Sequence, residues 1–256
     1  MKHIVSFSGG KDSTAMLLRM IELNYQIDEV IFADTTFEYP EMYVWINNIE
    51  KLLSFKITRV TAPHTFDSWF YGVPKRGKRG RQGLIRGFPL EVYGCWWQKY
   101  CKEIPMMKKI GKGNIVYLGI AFDELKRSKA KIYDRGDNIY KFPLIDWNWT
   151  EADCIKYLEK KGLKHPLVTK FKRTGCWLCP KQSKESLYSL YIHYPELWLK
   201  LRKYESDSPN GFKARIKLED LEKEFKSKEV MARCNADSHD GIPPNNNLLG
   251  IQPNEL

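Results

Sequence analysis

No stretch of this chain approaches the ~20 consecutive apolar residues that a membrane-spanning helix needs, and no internal repeat or low-complexity tract is evident. A membrane partner is therefore not expected. The Walker spacing, four residues between a first glycine and a Gly-Lys-Ser/Thr ending, is also missing. Acidic groups are in deficit: 31 Asp and Glu stand against 42 Lys and Arg, a formal net charge of +11. The opening residues Met1-Lys2-His3-Ile4-Val5 enter an apolar strand at once, so no signal peptide is expected and the expected location is cytoplasmic. What is present suits a folded enzyme: 256 residues with 43% hydrophobic content can build one large domain, or one domain with an appendage.

The first strand, Lys2 to Phe7, runs directly into Ser8-Gly9-Gly10-Lys11-Asp12-Ser13 and a helical stretch from Thr14 to Leu23. Two glycines let the backbone approach an anion with no Cβ in the way. The N–H groups of the loop and the first helical turn then face it, with the positive end of the helix dipole behind them. Lys11 adds a mobile cation, and Ser8 and Ser13 add hydroxyl donors. A Gly-Gly turn before a helix also occurs as a purely structural turn. Asp12, and Asp34 after the second strand, are the candidates for holding Mg²⁺, a hard cation that prefers carboxylate, water and phosphate oxygens.

Apolar runs predict strands near residues 3–7, 29–33, 55–60 and 115–120, with helical patterns between the first three. Such runs, lacking polar alternation and separated by amphipathic helices, indicate a parallel sheet covered on both faces. Ligands of these sheets bind beyond the carboxyl ends of the strands. Ser8, Asp34, Ala62 and residues 121–124 all fall there and are expected to converge on one crevice. Thr150-Glu151-Ala152-Asp153 has the spacing of a capping box, with Asp where Glu is usual. Residues 1–170 read as the nucleotide-binding domain. Residues 171–256 read as a charged, cysteine-containing helical region closing in a Pro, Asn and Gly-rich irregular tail from Asp237.

Six cysteines in a reducing compartment are not expected to pair as disulfides. Cys176 and Cys179 form a Cys-x-x-Cys turn, which can aim two thiolates at one metal but needs further ligands from elsewhere. Cys95 and Cys101, about 75 residues earlier, supply them on one reading and are small buried hydrophobes on the other. Four thiolates suit zinc as well as iron. Cys154 lies on an amphipathic helical pattern and reads as core, and Cys234 is unassigned. His165 and His193 read as structural or surface groups, while His64 stands nearer the expected crevice.

Lys75 to Arg86 places six cations in twelve residues, interleaved with glycine and preceded by Trp69, Phe70 and Tyr71. That composition suits a nucleic-acid backbone with stacking on exposed bases. A solvated loop, or a lid over a triphosphate, has the same composition. Lys170, Lys172 and Arg173 predict a cationic rim near the Cys-x-x-Cys turn.

The Ser-Gly-Gly-Lys-Asp-Ser loop resembles the PP-loop of the ATP pyrophosphatase superfamily, also described as adenine nucleotide alpha hydrolase-like. Four further motifs resemble its phosphoadenosine phosphosulfate (PAPS) reductase-like branch: Asp34 to Glu41, Gly119-Ile120-Ala121-Phe122-Asp123-Glu124-Leu125-Lys126-Arg127, Phe142 to Trp147 with the helix from Thr150, and Gly175 to Pro180. In the second of these Ala121 replaces the branch's arginine and Leu125 its serine. The resemblance covers roughly residues 1 to 180 and implies a Rossmann-like α/β fold with a parallel sheet, helices on both faces and a mostly helical C-terminal region.

It also implies roles. Ser8, Gly9, Gly10, Lys11, Asp12, Ser13, Asp34, Gly119 and Glu124 would bind ATP, and Lys11, Asp12, Asp34 and Arg127 would act in catalysis. Cys101-Lys102-Glu103-Ile104-Pro105 fits the Cys-Lys-x-x-Pro element of branch members that carry a 4Fe-4S cluster, where tandem cysteines are common and this chain has Tyr100-Cys101. The implied ligands are Cys101, Cys176 and Cys179, and Cys95 is the candidate fourth that would compensate for the absent tandem cysteine. Sulfonucleotide reductases of the branch use a Glu-Cys-Gly-(Leu/Ile)-His motif, and around Cys234 this chain has Arg233-Cys234-Asn235-Ala236-Asp237-Ser238-His239 instead. The expected activity is therefore ATP-dependent adenylation of an acceptor, RNA or DNA, for iron-sulfur-assisted sulfur transfer. A sulfur-donor protein and a homodimeric partner are expected with it. Sulfonucleotide reduction and a non-catalytic nucleotide-sensing role are the alternatives.

Overall fold

The Val and Ile-rich runs form the strands that their composition predicts. In the computed structural model, which describes residues 1–53, 55–74, 83–89, 94–130, 133, 136–213 and 215–237 (side chains to Met231 in the last helix), they are β1 (His3–Phe7), β2 (Glu29–Asp34), β3 (Ile57–Thr61) and β4 (Ile115–Leu118). A fifth strand, β5 (Ile139–Lys141), was not expected; it is three residues long and largely exposed, so no apolar run announces it. All pairings are parallel, in the order β3-β2-β1-β4-β5. The chain order reverses between β1 and β4, the switch point beyond which ligands of such sheets bind.

Side chains alternate between the two faces of the sheet. Val5, Phe7, Val30, Phe32 and Tyr117 enter the larger apolar cluster, together with α1 (Lys11–Glu22), α2 (Pro40–Leu52) and α7 (Glu151–Lys160). Ile4, Ile31, Ala33 and Val116 face the other way and meet Met106 and Ile110 of α4 (Ile104–Ile110). Helices thus cover both faces. Short helices α3 (Phe66–Phe70), α5 (Leu125–Ser128) and α6 (Pro143–Asp146) lie in the connections, and Gln98–Glu103 forms a π-helical turn leading into α4.

The capping box is present: Thr150 Oγ1 accepts from Asp153 N at 3.3 Å while Asp153 Oδ2 accepts from Thr150 N at 3.0 Å. Such a cap contributes about 1 kcal/mol and fixes where α7 begins. Beyond it, α8 (Lys184–His193), α9 (Pro195–Asp207) and α10 (Leu218–Asp237) send Leu190, Trp198, Leu201, Tyr204 and Phe225 into the same larger cluster. The helical C-terminal region therefore packs on the sheet layer through a shared core. Asp237 ends α10; the tail from Ser238 lies outside the described residues, and Cys234 sits on α10 among the side chains not described. Among the described residues no helix is long and apolar enough to cross a membrane.

Candidate functional site

Ser8 to Gly10 links β1 to α1, and its shape depends on glycine. Gly9 has φ +76°, and a Cβ there would stand 2.8 Å from Met42 Sδ. Ser13 Oγ lies 2.9 Å from Ser8 Oγ and donates to Gly10 O at 3.0 Å, which folds the loop back on the first helical turn. Gly119, just past β4, packs against this turn so closely that a Cβ would lie 2.7 Å from Ser13 Cα. Two strand ends thus clamp one anion-binding turn.

Lys11 opens α1, and its ammonium donates to Glu151 Oε2 at 2.8 Å and to Asp12 Oδ2 at 3.2 Å. Burial alone would lower the Lys11 pKa, but the hydrogen bonds and charges of Glu151 and Asp12 outweigh it and the net shift is upward. Burial pushes Asp12 up to about 6 against the pull of Lys11, with the carboxylates of Glu151 and Glu124 adding to the rise. Asp12 Oδ1 is buried with no hydrogen-bond partner. At the start of α1 a cation therefore lies against a carboxylate that is buried, raised in pKa and short of one hydrogen-bond partner.

The other expected residues surround this point. Asp34 ends β2, where its Oδ1 accepts from Thr36 N at 2.8 Å and from Tyr43 OH at 2.9 Å. Thr36 adopts φ +60°, a left-handed conformation that strains a β-branched residue. Glu124 is close enough to Asp12 to act on its ionisation, and it pairs with Arg127 one turn along. Arg127 is itself exposed, so the structure ties it to Glu124 and not to the loop.

Two groups that sequence reasoning missed hold the site in place. Glu151 reaches Lys11 across 140 residues of chain from the first position of α7, and its own N–H faces Asp123 at 3.3 Å. His165 is buried, packs on the Trp45 ring and places Nε2 3.1 Å from Gly9 O. Burial lowers its pKa to about 4, so it is a neutral donor that fixes the loop carbonyl. Its expected structural role stands, at a position the sequence did not indicate. His64 and His193 are exposed.

The Cys-x-x-Cys turn packs against the segment that follows Asp34. Trp177 N donates to Phe37 O at 3.0 Å, which docks the Cys-x-x-Cys turn onto the segment after β2. Cys176 Sγ lies 3.2 Å from Thr35 Oγ1, and Thr35 Oγ1 donates to Glu38 Oε1 at 2.7 Å. Cys101 is fully buried in the π-helical turn, and Cys95, which receives Gln98 N at 3.3 Å, precedes it. Burial raises the thiol of Cys95, of Cys101 (to about 12) and of Cys176. The raising is reinforced in a chain of neighbours, Cys179 acting on Cys95, Cys95 on Cys101, and Cys101 on Cys176.

All four expected ligands are thus electrostatic neighbours. Among the described residues, however, no three of His, Cys, Asp or Glu already form a metal cage. Around them lie buried hydrogen-bond donors without acceptors: Tyr39 OH, whose ionisation feels Cys176 and Cys179, and the indole N–H groups of Trp96 and Trp97 beside Cys95. Buried orphan donors are costly unless an acceptor joins them. A set of thiolates is such an acceptor, so the donor set fits a thiolate-bound metal group. Cys154 is buried in the larger apolar cluster, as expected. Lys170 does not rim this region freely; it pairs with Glu41 at 3.0 Å and Tyr194 OH at 3.1 Å, while Lys172 and Arg173 are exposed.

Of the basic stretch, Lys75, Arg76, Lys78, Arg79 and Arg81 lie outside the described residues. Arg86 is described, and its Nε donates to Trp69 O at 3.1 Å.

Residues 2–182 match the family model of the phosphoadenosine phosphosulfate reductase domain. The chain belongs to that family. An uncharacterized Methanocaldococcus jannaschii protein is 26% identical over 216 residues, covering 78% of this chain and 42% of its own length. A phosphoadenosine 5'-phosphosulfate reductase of Vibrio atlanticus is 29% identical over 175 residues, 64% of this chain and 61% of the relative. The chain thus spans about half the length of the curated relatives it matches. Among solved structures, a Candida auris PAPS reductase in a phosphate complex aligns with TM-score 0.48 and 16% identity, over 69% of this chain and 82% of that one. As a member of the PAPS reductase domain family, the chain is a nucleotide-binding PP-loop protein.

Proposed function

We propose that this PAPS reductase-like protein binds ATP in the crevice between β1 and β4 and adenylates an acceptor, a nucleic acid, for sulfur transfer. The observation that carries this reading is the Lys11 ammonium, held by Glu151 and Asp12 at the mouth of a glycine loop whose hydroxyls and N–H groups suit a polyphosphate. An acceptor oxygen attacks the α-phosphorus, the bond between the α-phosphorus and its bridging oxygen breaks, and pyrophosphate leaves with the electron pair. A sulfur nucleophile, delivered by a donor protein, then displaces AMP. Lys11 and the loop N–H groups stabilise the charge that develops on the departing phosphates. Asp12, in the first turn of α1, and Asp34, at the end of β2, are the carboxylates that would hold Mg²⁺.

Cys95, Cys101, Cys176 and Cys179 would hold the 4Fe-4S cluster, with Tyr39, Trp96 and Trp97 as hydrogen-bond donors towards it. When bound, such a cluster supplies iron-sulfur chemistry to the sulfur-transfer step. The same thiols suit zinc, and metal analysis of anaerobically purified protein separates the two. The relatives named as PAPS reductases favour a second reading, reduction of a sulfonucleotide with Cys234 or an external thiol as nucleophile. One assay distinguishes them. Anaerobic protein incubated with ATP, Mg²⁺ and RNA or DNA releases AMP and pyrophosphate if it adenylates, whereas release of sulfite from phosphoadenosine phosphosulfate with a thiol reductant, and no pyrophosphate from ATP, establishes the reductase instead.

A further inference from the structure

We infer that an aromatic ladder built from α3 and the π-helical turn is a stacking platform for an unpaired nucleobase, so that the acceptor is a single-stranded segment of nucleic acid engaged at Tyr100. The inference rests on the nucleic-acid acceptor proposed above and gives it a site. The ladder starts in the core at Phe66 and runs outward. Trp96 stacks on Phe66 at 5.4 Å and 19°, Trp69 lies 6.4 Å from Trp96 at 29°, and Tyr100 stacks on Trp69 at 4.1 Å and 15°. The planes are close to parallel throughout. Phe66 is buried, whereas Trp69, Trp96 and Tyr100 are half-buried.

A ladder serving only the core would end in apolar groups. This one carries cations instead. The Arg86 guanidinium lies 4.7 Å from the Trp69 centroid and 5.6 Å from that of Trp96, tied in place by its bond to Trp69 O. At the outer end the exposed Lys99 ammonium is 5.9 Å from the Tyr100 centroid. An ammonium on a long exposed stem yields readily to a base, and in doing so can move to that base's phosphate. Aromatic planes beside Arg and Lys, on a chain of charge +11, match the π-face and backbone of an unpaired strand. Duplex nucleic acid has its base faces already stacked and offers no such partner. The Tyr100 ring also neighbours Cys101 in sequence, so a base held there lies beside the cysteine-bearing turn.

The test uses fluorescence polarisation of labelled oligo(U) and oligo(dT), about 12 nucleotides long to span a typical single-strand site, across a salt series. Wild-type protein should bind both, and losing one stacked ring in Tyr100→Ala should weaken binding about 10-fold. The salt slope should stay unchanged, because that substitution removes no phosphate contact. Tyr100→Phe keeps the plane and should bind within about twofold of wild type, which guards against a folding defect in the alanine variant. Binding should also quench tryptophan fluorescence in the wild type, and quench it less in Trp69→Phe. Equal affinity of wild type and Tyr100→Ala, or a matched duplex binding as tightly as the single strand, overturns the platform while leaving a nucleic-acid acceptor standing. Loss of ATP affinity in Tyr100→Ala overturns it in favour of an adenine site. Binding of neither oligonucleotide at low salt removes the acceptor reading itself, and pyrophosphate release from ATP then shows whether the adenylation reading survives.

Discussion

The glycine loop and the cysteine junction are built in opposite ways. The loop is contiguous: Ser8 to Ser13 carries its glycines, its cation and its hydroxyls in six residues, and Gly119, Glu151 and His165 support it from outside. The junction is assembled from three distant segments, around Thr35 to Tyr39, Cys95 to Cys101 and Cys176 to Cys179. Where chemistry is local, the backbone geometry is already close-packed, as the Gly119 to Ser13 approach shows. Where it is assembled, buried donors remain without acceptors. The first region leaves one buried acceptor, Asp12 Oδ1, without a partner, and the second leaves the buried donors of Tyr39, Trp96 and Trp97 without theirs.

That contrast breaks first at the cysteines. Cys176→Ser should remove essentially all bound iron, because one lost thiolate opens the site, while ATP affinity stays within about twofold and Cys154→Ser keeps its iron. Iron retained in Cys176→Ser would show that the four thiols are not one ligand set. Iron content and calorimetry on the same preparations decide this.

A smaller effect tests the tightness of the loop. Gly119→Ala drives a methyl group against the Ser13 backbone at 2.7 Å and should cost about 1–3 kcal/mol with a fall of about 10-fold or more in nucleotide affinity. Gly175→Ala, where no atom lies within 4 Å, should change neither. Comparable losses in both variants would mean that the two regions do not differ in packing.

The smallest expected effect is pH-dependent. Asp12 is raised from its ordinary 3.8 to about 6, so its neutral form is favoured in the folded state. The stability this contributes is fully present below about pH 4 and lost as pH rises through 6. Asp12→Asn, which cannot ionise, should therefore gain thermal stability relative to wild type between pH 4 and 7, on the order of 2 kcal/mol, and no further above pH 7. A difference independent of pH would remove the buried charge from the account.

Legibility followed the same division. The strands β1 to β4, the glycine loop and the capping box at Thr150 are written in adjacent residues, and the structure places them where the pattern does. Glu151 and His165 were not legible as site residues, since each reaches the loop across about 140 to 156 residues of intervening chain. Glu151 reads locally as an ordinary first-turn acid, and His165 as one more histidine beside a proline. The π-helical turn around Cys101 has no apolar period of its own, and β5 is too short and too exposed to show one. Cys95 was legible as a thiol and not as a neighbour of Cys179, because only the fold supplies that proximity.

The most direct test of the central claim, a nucleotide held at the Lys11 loop, is calorimetric titration of ATP into wild-type and Lys11→Ala protein of equal thermal stability. The account predicts saturable binding to the wild type and none detectable in Lys11→Ala, because that substitution leaves Asp12 and Glu151 facing the phosphates without their cation. Unchanged ATP affinity in folded Lys11→Ala protein would contradict it.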